Sequence, residues 1–367
     1  MHKILHLISL LFGAERAHSF AIWMLRAADK LPGCKWFLRK IYSVKDKSLE
    51  REVFGLHFNN PIGMAAGYDR NGEVYRTLSS LGFGFIEIGT VTPRPQQGNP
   101  KPRVFNLPKD KAILNRIGLA SEGFEEVVSN IRKDHKGIIL GCNIGKNTVT
   151  PPEDAAIDYL RVFRNLYQYI DYFVVNVSYN TTHKQYIPRT RDSVMKILEP
   201  LFDFRRGQNE YRPILLKISP DLTNEEVDLM TDIMVDTPLD GIVATNATTL
   251  HKELNTPTKE LRKVGIGAIS GEPLAERAIE VVRRVHERCN GTYPIIGSGG
   301  IMTGDDVKRM MEAGATLVQV YTGFVYNGLS FAGKLCKSLI PEVEEEIEIE
   351  LEEKDEENST NTTDIQQ

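Results

Sequence analysis

The side chains best suited to chemistry are polar residues that close short apolar runs. Thr90, Asn143, Asn176, Lys217, Thr245 and Asn246 each stand at or near the end of such a run. Lys217 is flanked by Leu215-Leu216 and Ile218, so it is a cation set in an apolar segment. Such a lysine either pairs with a buried acid or supplies fixed positive charge to a ligand. An asparagine amide donates and accepts at once, which suits a ring edge of alternating carbonyl and N–H groups, such as a flavin or pyrimidine. Gly299-Gly300 and the turn Tyr321-Thr322-Gly323 offer backbone N–H groups of the kind that cradle phosphate.

These residues need a scaffold that brings strand ends together. Strand-like runs occur at 61–66, 84–91, 138–144, 172–178, 213–219, 241–246, 294–297 and 316–321. Helical patterns follow at 72–81, 121–133, 154–170, 193–204, 224–236, 273–288, 304–313 and 329–339. Strict alternation of eight such units predicts an α/β fold, a closed (β/α)8 TIM barrel with its site at the carboxyl ends of the strands. No G-x-G-x-x-G turn follows the first strand, which disfavours an open dinucleotide-binding sheet. A short hairpin is expected near 53–58.

Ahead of the barrel, residues 1–45 form an expected helical arm, with 46–340 as the barrel and 341–367 as an acidic disordered tail. Within the arm, Ala17, Phe20, Ala21, Met24, Leu25 and Ala28 recur at helical spacing, after a shorter apolar helix at 4–12. Pro32-Gly33 breaks the pattern, and Trp36, Phe37, Ile41 and Tyr42 then sit among Lys35, Arg39 and Lys40. The arm carries eight bases against Glu15 and Asp29. It can be read as a helical hairpin packed on the body, or as an interfacial arm on an anionic membrane surface. The apolar run 5–12 is broken by His6 and lacks a small-residue cleavage site, so a signal peptide is not expected.

The net charge of −4 hides a basic body, because Glu342–Glu357 and Asp364 hold 12 of the 49 acids. Cys34, Cys142, Cys289 and Cys336 lie far apart with no C-x-x-C spacing, so neither a disulfide framework nor a metal site is expected.

Several ordered segments carry a family resemblance. They include Glu15-Arg16-Ala17-His18, Asn60-Pro61-Ile62-Gly63, the run Ile86-Glu87-Ile88-Gly89-Thr90-Val91-Thr92-Pro93, Asn143-Ile144-Gly145-Lys146-Asn147, Pro220-Asp221-Leu222 and Gly299-Gly300-Ile301. From about residue 1 to 340 the chain resembles the quinone-linked, membrane-associated dihydroorotate dehydrogenases. The resemblance implies FMN at Ala66, Gly67, Arg70, Thr90, Asn143, Asn176, Lys217, Thr245, Gly271, Gly300, Tyr321 and Thr322. It implies a dihydroorotate or orotate site at Arg70, Asn115, Arg116, Gly118, Asn176, Asn180 and Asn246. Quinone would be the acceptor, reached through the arm, where His18 matches a family position near quinone. The implied location is peripheral, on the cytoplasmic face of the inner membrane in a bacterium, with no nucleic-acid partner.

The chain departs from the family pattern at defined places. Arg70 replaces a lysine, Leu119 and Ala120 replace an aromatic and an amide, Ala247 replaces a threonine, and Asn106 replaces an arginine. After the fourth strand, an ungapped match puts Tyr179 at the family's serine base and Thr181 at a substrate asparagine. A turn one residue shorter would return Asn180 to the amide role and bring Ser178 or Tyr179 to the base position, with His183 as a conceivable helper. The catalytic assignment is therefore Tyr179. These changes spare the flavin positions, so a flavin-binding protein with impaired dehydrogenase activity is the second reading. A barrel aldolase or isomerase without flavin is the third.

Overall fold

Each of the eight strand-like runs becomes one strand of a closed parallel barrel in the computed structural model. The structure describes residues 13–131, 135, 137–178, 187, 189–251 and 254–341. In chain order its elements begin with helices α1 (Ala14–Lys30) and α2 (Cys34–Tyr42), then a hairpin of β1 (Arg51–Val53) and β2 (Leu56–Phe58). The barrel opens with β3 (Ile62–Met64), helix α3 (Tyr75–Ser79) and β4 (Phe85–Val91). Next come β5 (Val104–Leu107), β6 (Ala112–Asn115), α4 (Gly123–Asn130), β7 (Ile139–Ile144), α5 (Ala155–Leu166) and β8 (Tyr172–Asn176). Then follow α6 (Arg191–Arg206), β9 (Ile214–Ile218), α7 (Asn224–Asp236), β10 (Gly241–Ala244), α8 (Thr258–Val264) and β11 (Ala268–Gly271). The chain continues through α9 (Ala275–Arg288), β12 (Ile295–Ser298), α10 (Gly304–Glu312), β13 (Leu317–Val320), α11 (Thr322–Asn327) and α12 (Phe331–Ser338).

The barrel order is β3-β4-β7-β8-β9-β10-β12-β13, closed where Val318 pairs with Ile62. Side chains alternate along a strand, so residues two apart share a face. The inward positions therefore stack in layers. The lower layers are apolar: Phe85, Tyr172, Val174, Leu215, Val243, Ile296 and Leu317 form one buried cluster with Phe58 of the hairpin. Two glycines make room for its large rings. A Cβ at Gly63 would lie 2.3 Å from the Phe85 ring, and one at Gly141 would lie 2.1 Å from Tyr172 Cζ. One step further along the same strands the inward residues turn polar, with Glu87, Asn143, Asn176, Lys217 and Gln319 all buried.

Outside the barrel, helices cover the strands with apolar faces. Helix α7 shows why they start where they do. Thr223 Oγ1 accepts the Glu226 N–H at 3.2 Å, and Glu226 Oε2 accepts the Thr223 N–H at 2.9 Å, a reciprocal capping box.

Among the described residues, three strands lie outside the expected set. Strands β5, β6 and β11 form a small antiparallel sheet over the mouth, with β6 central. Helices α8 and α11 also lie outside that set. All five are short; β11 pairs with β6 from far away in sequence, and β5 pairs with β6 across the turn at Pro108–Asp110, so no sustained local periodicity marks them. The arm packs through Ala17, Ala21 and Leu25, one stripe of α1, all buried. Trp23, Trp36, Phe37 and Ile41 are exposed. The expected helix at 4–12 and the tail from 342 lie outside the described residues. Among the described residues no helix is long and apolar enough to cross a membrane.

Candidate functional site

The polar layer is held by one buried acid. Glu87 sits in the apolar stretch Phe85–Val91 of β4 and is wholly buried. Its Oε1 accepts Asn143 Nδ2 at 2.8 Å, and its Oε2 accepts Gln319 Nε2 at 2.5 Å. Lys217 Nζ lies 3.8 Å from Oε1, so acid and cation enter the barrel as a pair. Asn143 Oδ1 accepts the Thr90 hydroxyl at 2.6 Å and Asn176 Nδ2 at 3.0 Å. Asn176 Oδ1 accepts the Ser178 hydroxyl at 2.8 Å, and Ser178 Oγ accepts Asn246 Nδ2 at 2.9 Å. Strands β4, β7, β8, β9 and β13 and two loops are thereby joined by side chains alone.

Above this layer lies a cavity of about 710 Å3. From the first strands it takes Ala66, Gly67, Arg70 and Thr90, and from the middle strands Asn143, Asn176, Lys217, Thr245 and Asn246. Gly271, Gly300, Tyr321 and Thr322 line its far side, and Asn115, Arg116 and Gly118 reach it from the β6 turn. Every expected site residue that the structure describes is thus brought to one cavity. Tyr179 and Asn180 lie outside the described residues, as do Thr181 and His183.

The far side is built from backbone. A Cβ at Gly300 would lie 2.2 Å from Ala275 Cα, and one at Gly271 would lie 2.4 Å from the Lys111 carbonyl. Both have positive φ, 76° and 110°, a conformation that favours glycine. The Ser270 and Thr322 hydroxyls meet at 2.8 Å beside them. The roof is less polar, with Ile117, Leu119 and Ile266 among its residues. Arg116 lines the cavity, but its guanidinium also donates to the carbonyls of Val264, Ile266 and Pro102 and stacks over Phe105. It thus ties the roof together.

On the arm side, His18 Nε2 lies 3.0 Å from the Tyr68 carbonyl. Burial lowers the His18 pKa to about 4, and the nearby Arg70 charge adds to the effect. Tyr321 packs edge-on to Tyr68, and burial raises its phenol pKa. Asp69, the buried residue next to Tyr68 in the chain, accepts the N–H groups of Glu73 and Val74 at 2.8 and 2.9 Å. Desolvation nevertheless raises its pKa to about 6. Among the described residues no group of three or more His, Cys, Asp or Glu could hold a metal ion.

Two functional residues had no role assigned from sequence. Glu87 and Gln319 are polar residues at inward positions of otherwise apolar strands, and that alternation was the available signal.

Comparison with known proteins agrees over most of the chain. The family model described as dihydroorotate dehydrogenase matches residues 48–343. A protein of Christiangramia forsetii named dihydroorotate dehydrogenase (quinone) is 45% identical over 86% of this chain and 92% of its own length. One of the same name from Thermosynechococcus vestitus is 42% identical over 84% and 85%. A crystal structure of DHODH from Eimeria tenella in complex with ferulenol superposes with a TM-score of 0.79 at 33% identity, covering 89% of this chain and 90% of that one.

Proposed function

Because the chain belongs to the dihydroorotate dehydrogenase family, we propose that it oxidises dihydroorotate to orotate with bound FMN and passes the electrons to quinone, a step of pyrimidine biosynthesis. The observation that carries this reading is the single cavity shared by Lys217, Asn143, Asn176 and Asn246. The donor set fits FMN. Backbone at Gly271 and Gly300, with Thr322, suits a phosphate. Thr90, Asn143, Asn176 and Lys217 suit the polar edge of a flavin ring.

When bound, FMN supplies the hydride acceptor for the carbon–hydrogen bond at C6 of dihydroorotate. A base takes the C5 proton, the C5–C6 double bond forms, and the two electrons leave for quinone with two protons. Lys217 would supply positive charge to the flavin edge that gains electron density, and Glu87, 3.8 Å away, holds that lysine in place. Asn176 and Asn246 orient the ring amides of the substrate, and Arg70 offers a cation for its carboxylate. Its planar guanidinium can take a carboxylate through two nitrogens at once. Tyr179 is assigned as the base.

The arm supports quinone access and a membrane-surface location, on the cytoplasmic face of the inner membrane if the source is bacterial. Trp23 at 63% exposure, Trp36 at 65% and Phe37 at 57% give it an unpartnered aromatic face, beside Lys40 and Arg39. The test is anaerobic: dihydroorotate should bleach the flavin and a soluble quinone should restore its colour. Flavin that dithionite bleaches but dihydroorotate does not would overturn the proposal.

A further inference from the structure

The hydrogen bonds of the polar layer all run in one direction, toward Glu87. Gln319 Nε2 covers one carboxylate oxygen at 2.5 Å, and Lys217 Nζ stands 3.8 Å from the other. A carboxylate only accepts hydrogen bonds, so Asn143 must turn Nδ2 toward it, at 2.8 Å. That leaves Asn143 Oδ1 as an acceptor, which Asn176 Nδ2 meets at 3.0 Å. Asn176 must then present Oδ1 on its other side, where the Ser178 hydroxyl and N–H reach it at 2.8 and 3.1 Å. The hydroxyl has one proton, already given to Asn176. Toward Asn246 it can only accept, and Asn246 Nδ2 meets it at 2.9 Å. Asn246 Oδ1 in turn accepts the Ala247 N–H at 2.9 Å.

An amide fits the same space in either of two orientations, so its neighbours decide which end faces a ligand. Here one acid that does not itself line the cavity orients Asn143, and the same sense runs on through Asn176 and Asn246, where the backbone N–H groups of Ser178 and Ala247 act with it. We propose that Glu87 is a positioning residue that sets the donor and acceptor ends of Asn246 through Asn143, Asn176 and Ser178. The consequence for the ligand rests on the dihydroorotate reading above. A ring with fixed N–H and carbonyl positions is recognised only if Asn246 presents the matching atoms.

Replacing Glu87 by Gln keeps the volume but lets that end donate as well as accept, which removes the hold on Asn143 and loosens the relay from its start. Replacing Ser178 by Ala cuts the relay at its last link and leaves Glu87 and Lys217 untouched. Both changes should weaken orotate binding to the FMN-loaded protein by about tenfold, the scale of one lost hydrogen bond, with flavin retained. Ser178→Thr keeps the hydroxyl and should restore most of the affinity. Binding is read from the perturbation of the flavin absorbance.

A second readout needs no substrate. In protein labelled with 15N-asparagine, the Asn246 side-chain amide pair is assigned by its loss in Asn246→Asp. It should shift or split in both variants as the orientation is released. If Glu87→Gln does not fold, Glu87→Gln with Lys217→Met removes the charge pair together and takes its place, read by the amide spectrum alone. Unchanged Asn246 resonances in the Glu87 variant would overturn the relay. Wild-type protein that shows no response to orotate would overturn the dihydroorotate reading, while the amide spectrum still decides the relay.

Discussion

Arg103 grips Glu15 with two nitrogens, Nε at 3.0 Å and Nη2 at 2.8 Å from one carboxylate oxygen, and so fastens the arm to the barrel. Both side chains are largely buried, at 8% and 16% exposure. Arg103 also donates to the carbonyls of Gln97 and Asn99, so the loop before β5 and the arm share one cation. Arg26–Glu73 at 2.9 Å and the Thr77 hydroxyl on the Leu25 carbonyl at 3.0 Å are secondary ties. Arg103→Met leaves Glu15 with only the exposed Lys101 at 3.5 Å. The arm should loosen by about 3 kcal/mol, the low end for breaking a buried pair. Limited proteolysis should then cut the arm from an intact barrel, whereas equal resistance in both proteins would refute this tie.

Acid should loosen the same contact. Burial draws the Glu15 carboxyl upward, but the Arg103 hydrogen bond and charge, with Lys101, more than offset it, so its pKa is lowered. A depressed carboxyl stabilises the folded form above its ordinary range and loses that contribution as pH falls through its folded pKa. For His18, burial places the folded pKa at about 4, below the ordinary 6.5. The freed arm therefore takes up a proton that the docked arm refuses, and docking weakens as pH falls from 6.5 toward 4. Asp69 acts oppositely, because its carboxyl is raised to about 6 and favours the folded turn at lower pH. It belongs to the turn before α3, so the arm should fray before the barrel melts. The two tryptophans of the chain, Trp23 and Trp36, both lie on the arm, so their fluorescence reports its docking alone. His18→Gln should flatten the change between pH 6.5 and 4, and an identical pH profile would count against the assignment.

How much of this was legible in sequence follows from what each feature depends on. The barrel strands were legible because runs such as Ile214–Ile218 are apolar, short and bounded by turn residues. The cavity residues were legible because a barrel puts strand ends at one mouth, so Asn143, Asn176 and Lys217 had to converge. Strand β11 was not legible, since Ala268–Gly271 has meaning only against Ala112–Asn115, more than 150 positions earlier. Glu87 was visible as a residue but not as a hub. Its partners Asn143, Lys217 and Gln319 come from three other strands, and which atoms meet depends on barrel register.

The exposed aromatic face of the arm predicts binding to anionic vesicles. Trp36 carries Lys40 over its ring at 5.5 Å, so apolar and cationic groups reach the interface together. Vesicles rich in anionic lipid should shift the tryptophan emission to the blue, and neutral vesicles much less. About 0.5 M salt should reverse most of the shift, because such charges are screened within a few ångströms at high ionic strength. In vesicle flotation, which needs no tryptophan, binding that persists unchanged after removal of residues 1–45 would rule out the arm as the anchor.

Lys217→Met should expose the cost of leaving Glu87 without its cation. Breaking a buried pair typically destabilises by about 3–5 kcal/mol. The variant should unfold at lower urea and retain FMN weakly. Adding Glu87→Gln to it should recover stability, because the unpaired charge is gone. A double variant no more stable than Lys217→Met would show that the pair does not account for the loss.

The base is assigned to Tyr179 and not to its neighbour Ser178. Ser178 is a poor choice, since its proton goes to Asn176, its oxygen takes the Asn246 amide, and it does not line the cavity. Tyr179 is the next residue in the chain and carries a hydroxyl of its own. A free phenol has a pKa of about 10, so flavin reduction by dihydroorotate should rise with pH over the range 7 to 10. Positioned bases contribute about 10²–10⁴-fold, so Tyr179→Phe should slow reduction by that factor while leaving orotate affinity nearly unchanged. Stopped-flow absorbance under anaerobic conditions isolates this half-reaction from quinone. Ser178→Ala should act on affinity instead, giving the opposite split between binding and rate. Reduction that is as fast in Tyr179→Phe as in the unaltered protein, with the same pH profile, would remove Tyr179 from the mechanism.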